Sequence, residues 1–170
     1  MPSVMRTILN SQTEESSLNN GVVRNDRKAL SVKLSEALAD SYKLHLKTLN
    51  VHWNISGPLF YAVHQITEQQ YESIALAVDE IAERIRAIGF SAPGTQQELN
   101  HYCSLKDIAP NMGAIDMVRD LIAANETCAK NMRNVVEEAE NCRDVKSADL
   151  ITSQIGLYEK NAWMLRALIS

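Results

Sequence analysis

Four long stretches of the chain place apolar side chains at intervals of three and four residues, the spacing of an amphipathic α-helix. The first stretch shows the pattern clearly, with Leu30, Leu34, Leu44 and Val51 on one face. The four stretches are residues 25–53, 58–88, 113–141 and 145–169. Helices of this number and length, each with one apolar face, predict an all-α protein built as a four-helix bundle.

A short extra helix is predicted in the long connection between the second and third helices. Pro93 and Gly94 interrupt the chain there, and Thr95 with Glu98 fits a T-x-x-E capping box. The extra helix should cover residues 95–102. Elsewhere the predicted helix-starting residues are Asn25 or Asp26 for the first helix, Pro58 for the second, and Asp144 or Ser147 for the last.

Composition indicates one soluble domain preceded by a tail. The chain has 170 residues, of which 45% are hydrophobic and 22% charged, so it can bury a core without disulfides. Residues 1–24 are mostly polar and lack helical periodicity, which predicts a flexible N-terminal tail ahead of a domain at residues 25–170. No apolar run is long enough to span a bilayer, and three cysteines without metal-finger spacing fit free thiols in the cytoplasm.

Candidate metal ligands are concentrated between residues 51 and 86. On the second predicted helix, His64 and Glu68 are four residues apart and share a face, as do Asp79 and Glu83. Glu68 and Asp79 are separated by about 20° of rotation but roughly 16 Å of rise. A metal–ligand bond is only about 2.0–2.6 Å long, so one straight helix cannot bring both pairs to one ion.

Two antiparallel copies of this helix can bring the pairs together. A two-fold axis near Ser73 and Ile74 would place His64 and Glu68 of one subunit opposite Asp79 and Glu83 of the other. His52, at the end of the first helix, would complete the histidine side of the site. The spacing therefore predicts two equivalent metal sites, each shared between two subunits.

The types of ligand suit iron and leave competition by zinc or manganese open. Imidazole and carboxylate groups suit Fe(II), and the set contains no thiolate. Each residue also has an ordinary interpretation, since histidines can be packed in a core and carboxylates can lie on a solvated helix face. The only Glu-x-x-His pair, Glu98 and His101, falls in the short helix, so a di-iron site inside the bundle is not expected.

The same stretch resembles a known family. The segments NVHWNISGPLFYAVHQITEQQY and VDEIAERIRAIG, with EKNAWMLRA near the C-terminus, are similar to the signature of the Dps family of mini-ferritins. The resemblance implies a ferritin-like bundle that assembles into a hollow dodecamer. It also implies a ferroxidase centre between subunits at His52, His64, Glu68, Asp79 and Glu83, which oxidises Fe(II), preferably with hydrogen peroxide, and stores ferric mineral. Many members have Asp at the position of Glu68.

Trp53 has two alternative roles. The resemblance implies that Trp53 lies near the ferroxidase centre and can give up an electron, while its ordinary role would be to fill a subunit interface.

Some family members compact DNA with a basic arm, but here Arg6 and Arg24 are balanced by Glu14 and Glu15, and the net charge is −4. A nucleoid-associated DNA binder with minor iron chemistry is therefore the rival function, and a helical interaction scaffold is the third.

Overall fold

The computed structural model describes residues 18–170 and contains five helices in that part of the chain. The helices are α1 (Arg24–Asn54), α2 (Phe60–Ala87), α3 (Gln96–Tyr102), α4 (Ala114–Asn141) and α5 (Val145–Ala167). This confirms the all-α fold, the four long helices and the short extra helix, with each boundary within about two residues of its predicted position. Most of the predicted tail, residues 1–17, lies outside the described residues.

Two of the N-caps predicted from the sequence are present in the structure. Asp144 accepts a hydrogen bond from the Ser147 backbone N–H at the start of α5, and Thr95 and Glu98 form a reciprocal capping box at the start of α3. The prediction for α1 was wrong, because its N-cap is Val23, which makes no side-chain capping bond. Pro58 precedes α2, which begins two residues later.

A glycine ends α2 and turns the chain. Gly89 has φ 96°, the left-handed region that glycine enters without steric cost. The Gly89 N–H donates to the Arg86 carbonyl, and the Phe90 N–H donates to the Ile85 carbonyl, as in a Schellman motif. Phe90 is fully buried against the bundle, so the end of α2 is fixed both by hydrogen bonds and by packing.

The core lies between the four long helices, where α1 packs on α2 and α4, and α4 packs on α5. The largest fully buried side chains are aliphatic or aromatic and come from every long helix: Leu30, Leu34, Leu44, Ile74, Ile81, Ile85, Leu121, Met132, Ile151 and Tyr158. No helix among residues 18–170 is both long and apolar enough to cross a membrane.

A buried carboxylate fixes the long connection between α3 and α4. Asp40 on α1 is 2% exposed and accepts hydrogen bonds from the Ser104 backbone N–H (2.7 Å), the Ser104 hydroxyl (2.8 Å) and the Asn131 side-chain amide (2.9 Å). Lys47 donates to the Lys106 carbonyl in the same connection. These contacts hold the segment after α3 against the middle of α1.

A second buried carboxylate joins α2 to α5. The Arg84 guanidinium donates to both Asp144 carboxylate oxygens at 2.7 Å and to the Ser147 hydroxyl at 2.7 Å. An alternative pairing of Arg84 with Glu80, suggested by their spacing, is not formed, and Glu80 instead accepts from the Gln154 amide. Asp144 is deeply buried, whereas Glu80 is exposed. Burial removes the Asp144 carboxylate from water, so it depends on a charged partner more than the Glu80 carboxylate does.

Replacing Asp144 with alanine should therefore lower the free energy of unfolding by about 3 kcal/mol, because the change leaves a partly buried guanidinium unpaired and removes the α5 cap. Urea unfolding at a fixed subunit concentration measures this. The control is Asp149→Ala, which breaks the exposed pair with Lys146 and should cost less than about 0.5 kcal/mol. Equal losses in both variants would contradict the assignment.

Candidate metal half-site

A short turn between α1 and α2 brings two histidines face to face. His52 is in the last turn of α1, and His64 is in the second turn of α2. Gly57 has φ 82°, which lets the chain reverse sharply, and Ile55 is buried beneath the turn. The imidazole rings stack with centroids 3.8 Å apart and planes inclined by 17°.

The two histidines are locked by reciprocal hydrogen bonds. The Nδ1 atom of His52 lies 3.0 Å from the His64 carbonyl oxygen, and the Nδ1 atom of His64 lies 2.9 Å from the His52 carbonyl oxygen. A carbonyl oxygen can only accept, so Nδ1 carries the proton in both rings. In a neutral imidazole, Nε2 then holds the free lone pair. Both rings therefore present Nε2 as a ligand atom whose orientation is set by the backbone of the neighbouring helix.

The histidines are surrounded by residues that the sequence analysis did not single out. The hydroxyl oxygen of Thr67 lies 3.2 Å from Nδ1 of His52 and donates its own proton to the Val63 carbonyl. Tyr71 meets His52 edge-on at a centroid distance of 5.2 Å, and Phe60 stacks on His64 at 5.1 Å. Thr67 follows Val63 by four residues and precedes Ile74 by seven, so it falls in the apolar stripe of α2, and a polar residue in that stripe is the sequence signal that could have identified it.

The predicted carboxylates divide into two groups. Glu68 is half-buried and follows His64 by one turn of α2. Asp79 and Glu83 are exposed, and α2 is continuous between them and Glu68, so the rise of roughly 16 Å between the two groups applies. Within residues 18–170, no three histidine, cysteine, aspartate or glutamate side chains lie together as a metal-binding group. One chain thus holds the candidate histidine ligands and the candidate ligands Asp79 and Glu83 at two separate places.

Trp53 follows His52 but faces a different environment. Its side chain is 65% exposed, and it lines a surface cleft of about 350 Å³ with Leu46 of α1 and Ile108 of the connection after α3. The ring contacts of the two histidines are with each other, Phe60 and Tyr71. Trp53 therefore lies beside the half-site in sequence without packing on its rings.

Among residues 18–170, the interior of the bundle holds no group of three histidines and carboxylates that could bind iron. Its buried amides are Gln70, Asn125 and Asn161, and its buried carboxylates, Asp40 and Asp144, are hydrogen-bonded to other side chains. Glu98, the acid of the single Glu-x-x-His pair, accepts from the Thr95 and Gly94 N–H groups, and these bonds lower its pKa. The Glu98 carboxylate thus caps α3. The candidate donors that suit iron, the two imidazoles and Glu68, lie where α1 meets α2.

All three cysteines are free thiols. Burial raises the pKa of Cys103 and Cys142, and it raises the pKa of the fully buried Cys128 most strongly. The thiolate is the reactive form of cysteine. The thiols are therefore poor targets for peroxide and poor metal ligands near neutral pH.

Thiol labelling tests this electrostatic environment. At pH 8 each thiol should react with Ellman's reagent more slowly than free cysteine, because burial raises the thiol pKa and so reduces the thiolate fraction, and the rate should climb as the pH is raised. Cys128 should stay unlabelled until the protein unfolds. In guanidinium all three should react at once; fast labelling of the native protein would contradict the burial.

The comparisons with known proteins agree with this architecture. A family model described as a ferritin-like domain matches residues 32–170. A low-temperature-induced protein of Nostoc is 34% identical over 154 residues, covering 89% of this chain and 86% of the relative. "DNA protection during starvation protein 2" of Bacillus anthracis is 35% identical over 140 residues, covering 81% of this chain and 94% of the relative.

Solved structures show the same fold. A Dps crystal structure from Mycobacterium smegmatis superposes with a TM-score of 0.82 at 28% identity, covering 88% of this chain and 90% of that chain. A Dps protein from Vibrio cholerae, described as a member of the ferritin-like diiron-carboxylate superfamily, gives a TM-score of 0.86 at 23% identity. It covers 94% of this chain and 100% of that chain.

Proposed function

Since the chain belongs to the Dps family of ferritin-like proteins, we propose that it binds Fe(II) at sites shared between two subunits, oxidises it and stores the ferric product. The observation that carries the proposal is the histidine pair. Two Nε2 lone pairs, fixed by reciprocal backbone hydrogen bonds, lie where α1 meets α2, one helical turn from Glu68. Such an arrangement is useful only if further ligands come from elsewhere.

The partner subunit supplies those ligands in this proposal. A two-fold axis near Ser73 would set Asp79 and Glu83 of the partner subunit against the histidine pair, and would form two sites at once. Exposed apolar side chains on α2 support burial of this helix in an interface, since Tyr61 is 75% exposed and Leu76 is 69% exposed. Six such dimers would form the dodecameric shell expected of the family.

The chemistry follows from the ligand set. Imidazole nitrogens bind the substrate Fe(II), and the carboxylates, including Glu68, stabilise Fe(III) more strongly and so favour loss of an electron. Two ferrous ions then supply the two electrons that reduce hydrogen peroxide: 2 Fe(II) + H₂O₂ + 2 H⁺ give 2 Fe(III) + 2 H₂O. Water is formed instead of hydroxyl radical. We place the protein in the cytoplasm, with peroxide or dioxygen as the oxidant.

A double substitution tests the histidine half. His52→Ala with His64→Ala should reduce peroxide-dependent Fe(II) oxidation to the rate without protein, because both nitrogen ligands are lost. Ferric absorbance in a stopped-flow instrument measures the rate. The control is His101→Ala, an exposed histidine on α3, which should oxidise iron at the wild-type rate. Unchanged oxidation by the double variant in an intact assembly would refute the proposal.

Complementation tests whether the site is shared. The His52→Ala, His64→Ala variant and an Asp79→Asn, Glu83→Gln variant should each be inactive alone. When the two are co-expressed in equal amounts, half of the dimers pair unlike subunits, and each of these has one intact site of two. Activity should therefore return to about a quarter of the wild-type level. A site contained in one chain would give no recovery.

The rival function, compaction of DNA, is measured separately. The net charge of −4 opposes phosphate binding, and the described residues supply no compensating basic arm. Gel-shift titrations should detect no DNA retention at about 150 mM salt. Retention that weakens steeply as salt is raised would instead favour the DNA-binding function.

A further inference from the structure

Where α1 packs on α2, five side-chain rings contact one another in a continuous series. We call this series the ring ladder; in order, its members are Phe60, His64, His52, Tyr71 and His45. Successive centroids are 5.1, 3.8, 5.2 and 6.2 Å apart. These separations are those of aromatic rings in direct contact. The ladder thus joins the two candidate metal ligands to a phenol through His52.

Tyr71 carries the only phenol among the five rings of the ladder. A phenol loses a hydrogen atom far more readily than a phenyl ring or a neutral imidazole does. Tyr71 is half-buried and meets the His52 ring edge-on, one ring away from the Nε2 atom that would hold iron. Trp53, to which the family resemblance assigns the ability to give up an electron, is mostly exposed and lies outside the ladder.

A second imidazole on α1, that of His45, also contacts Tyr71. The Nδ1–H of His45 donates to the Tyr71 backbone carbonyl at 3.0 Å, and the two rings meet edge-on with planes inclined by 80°. His45 is seven residues before His52 on the same face of α1, so both imidazoles hold α2 in the same way. His45 is therefore a positioning residue for Tyr71.

A site that holds one Fe(II) instead of two needs a further electron to reduce peroxide. Reduction of one peroxide to water takes two electrons, and a site holding one Fe(II) supplies only one. We propose that Tyr71 supplies the missing electron together with its phenolic proton. This inference rests on the proposed iron oxidation. The balanced step is Fe(II) + H₂O₂ + H⁺ + Tyr71–OH giving Fe(III) + 2 H₂O + Tyr71–O•, in which the phenol O–H and the peroxide O–O bonds break.

The test compares iron loadings by freeze-quench electron paramagnetic resonance. With less than one Fe(II) per site and excess peroxide, the assembled wild-type protein should give a tyrosyl radical signal that narrows when the tyrosines carry ring deuterium. Tyr71→Phe keeps the ring contact but removes the phenol, so the signal should be lost and spin-trapped hydroxyl radical should rise. With two Fe(II) per site, both proteins should oxidise iron with the same stoichiometry.

Matched variants locate the radical. Tyr61→Phe changes an exposed tyrosine on the same helix and should retain the signal, as should Trp53→Phe. A signal that survives in Tyr71→Phe, or that disappears in Trp53→Phe, would overturn the assignment. So would normal iron oxidation by the wild type without any protein radical at low loading. Failure of the wild type to oxidise iron at every loading would overturn the proposed function and this inference together.

Discussion

The exchange of hydrogen bonds between His52 and His64 is the constraint on which the candidate site depends. Each imidazole donates from Nδ1 to the backbone carbonyl of the other, so the end of α1 and the start of α2 fix each other's ligand. A flexible histidine would have to lose rotamer freedom when it binds a metal, and here that ordering is already complete in the fold. The hydrogen bonds, the stacking of the rings and the Thr67 hydroxyl all support the same orientation.

The fold was predictable from the sequence because its signals are local and repeated. The apolar repeats gave the long helices, and Thr95 with Glu98 gave the start of α3, since a capping box depends only on residues three apart. Asn25 and Asp26 misled the prediction for α1. The helix already begins at Arg24. The buried Arg27 side chain donates hydrogen bonds to the Val22 and Ile88 carbonyls and so ties the start of α1 to the end of α2.

The site was predictable in its ligand types but not in its supporting contacts. The spacing of His64 and Glu68 follows from helix geometry, but the facing of His52 on His64 depends on how α1 and α2 meet in space. The same limit applies to Tyr71, which carries no metal-binding signature and becomes notable only beside His52. Arg84 is a further example, because Glu80 lies one turn away on α2 but the guanidinium pairs with the more deeply buried Asp144 at the start of α5.

The hydrogen bond between Gln70 and Asn161 has a consequence for the alignment of α2 with α5. The buried Gln70 side-chain amide donates to the Asn161 backbone carbonyl at 3.3 Å and so links the two helices, whereas Asn125 donates to the Leu121 carbonyl within α4. Sliding α2 by one turn along α5 would break the inter-helix bond and leave the Gln70 amide against hydrocarbon, a cost that uniform leucine layers would not impose. The Gln70 amide thus disfavours slipped packings of α2, the helix that carries His64, Glu68, Asp79 and Glu83.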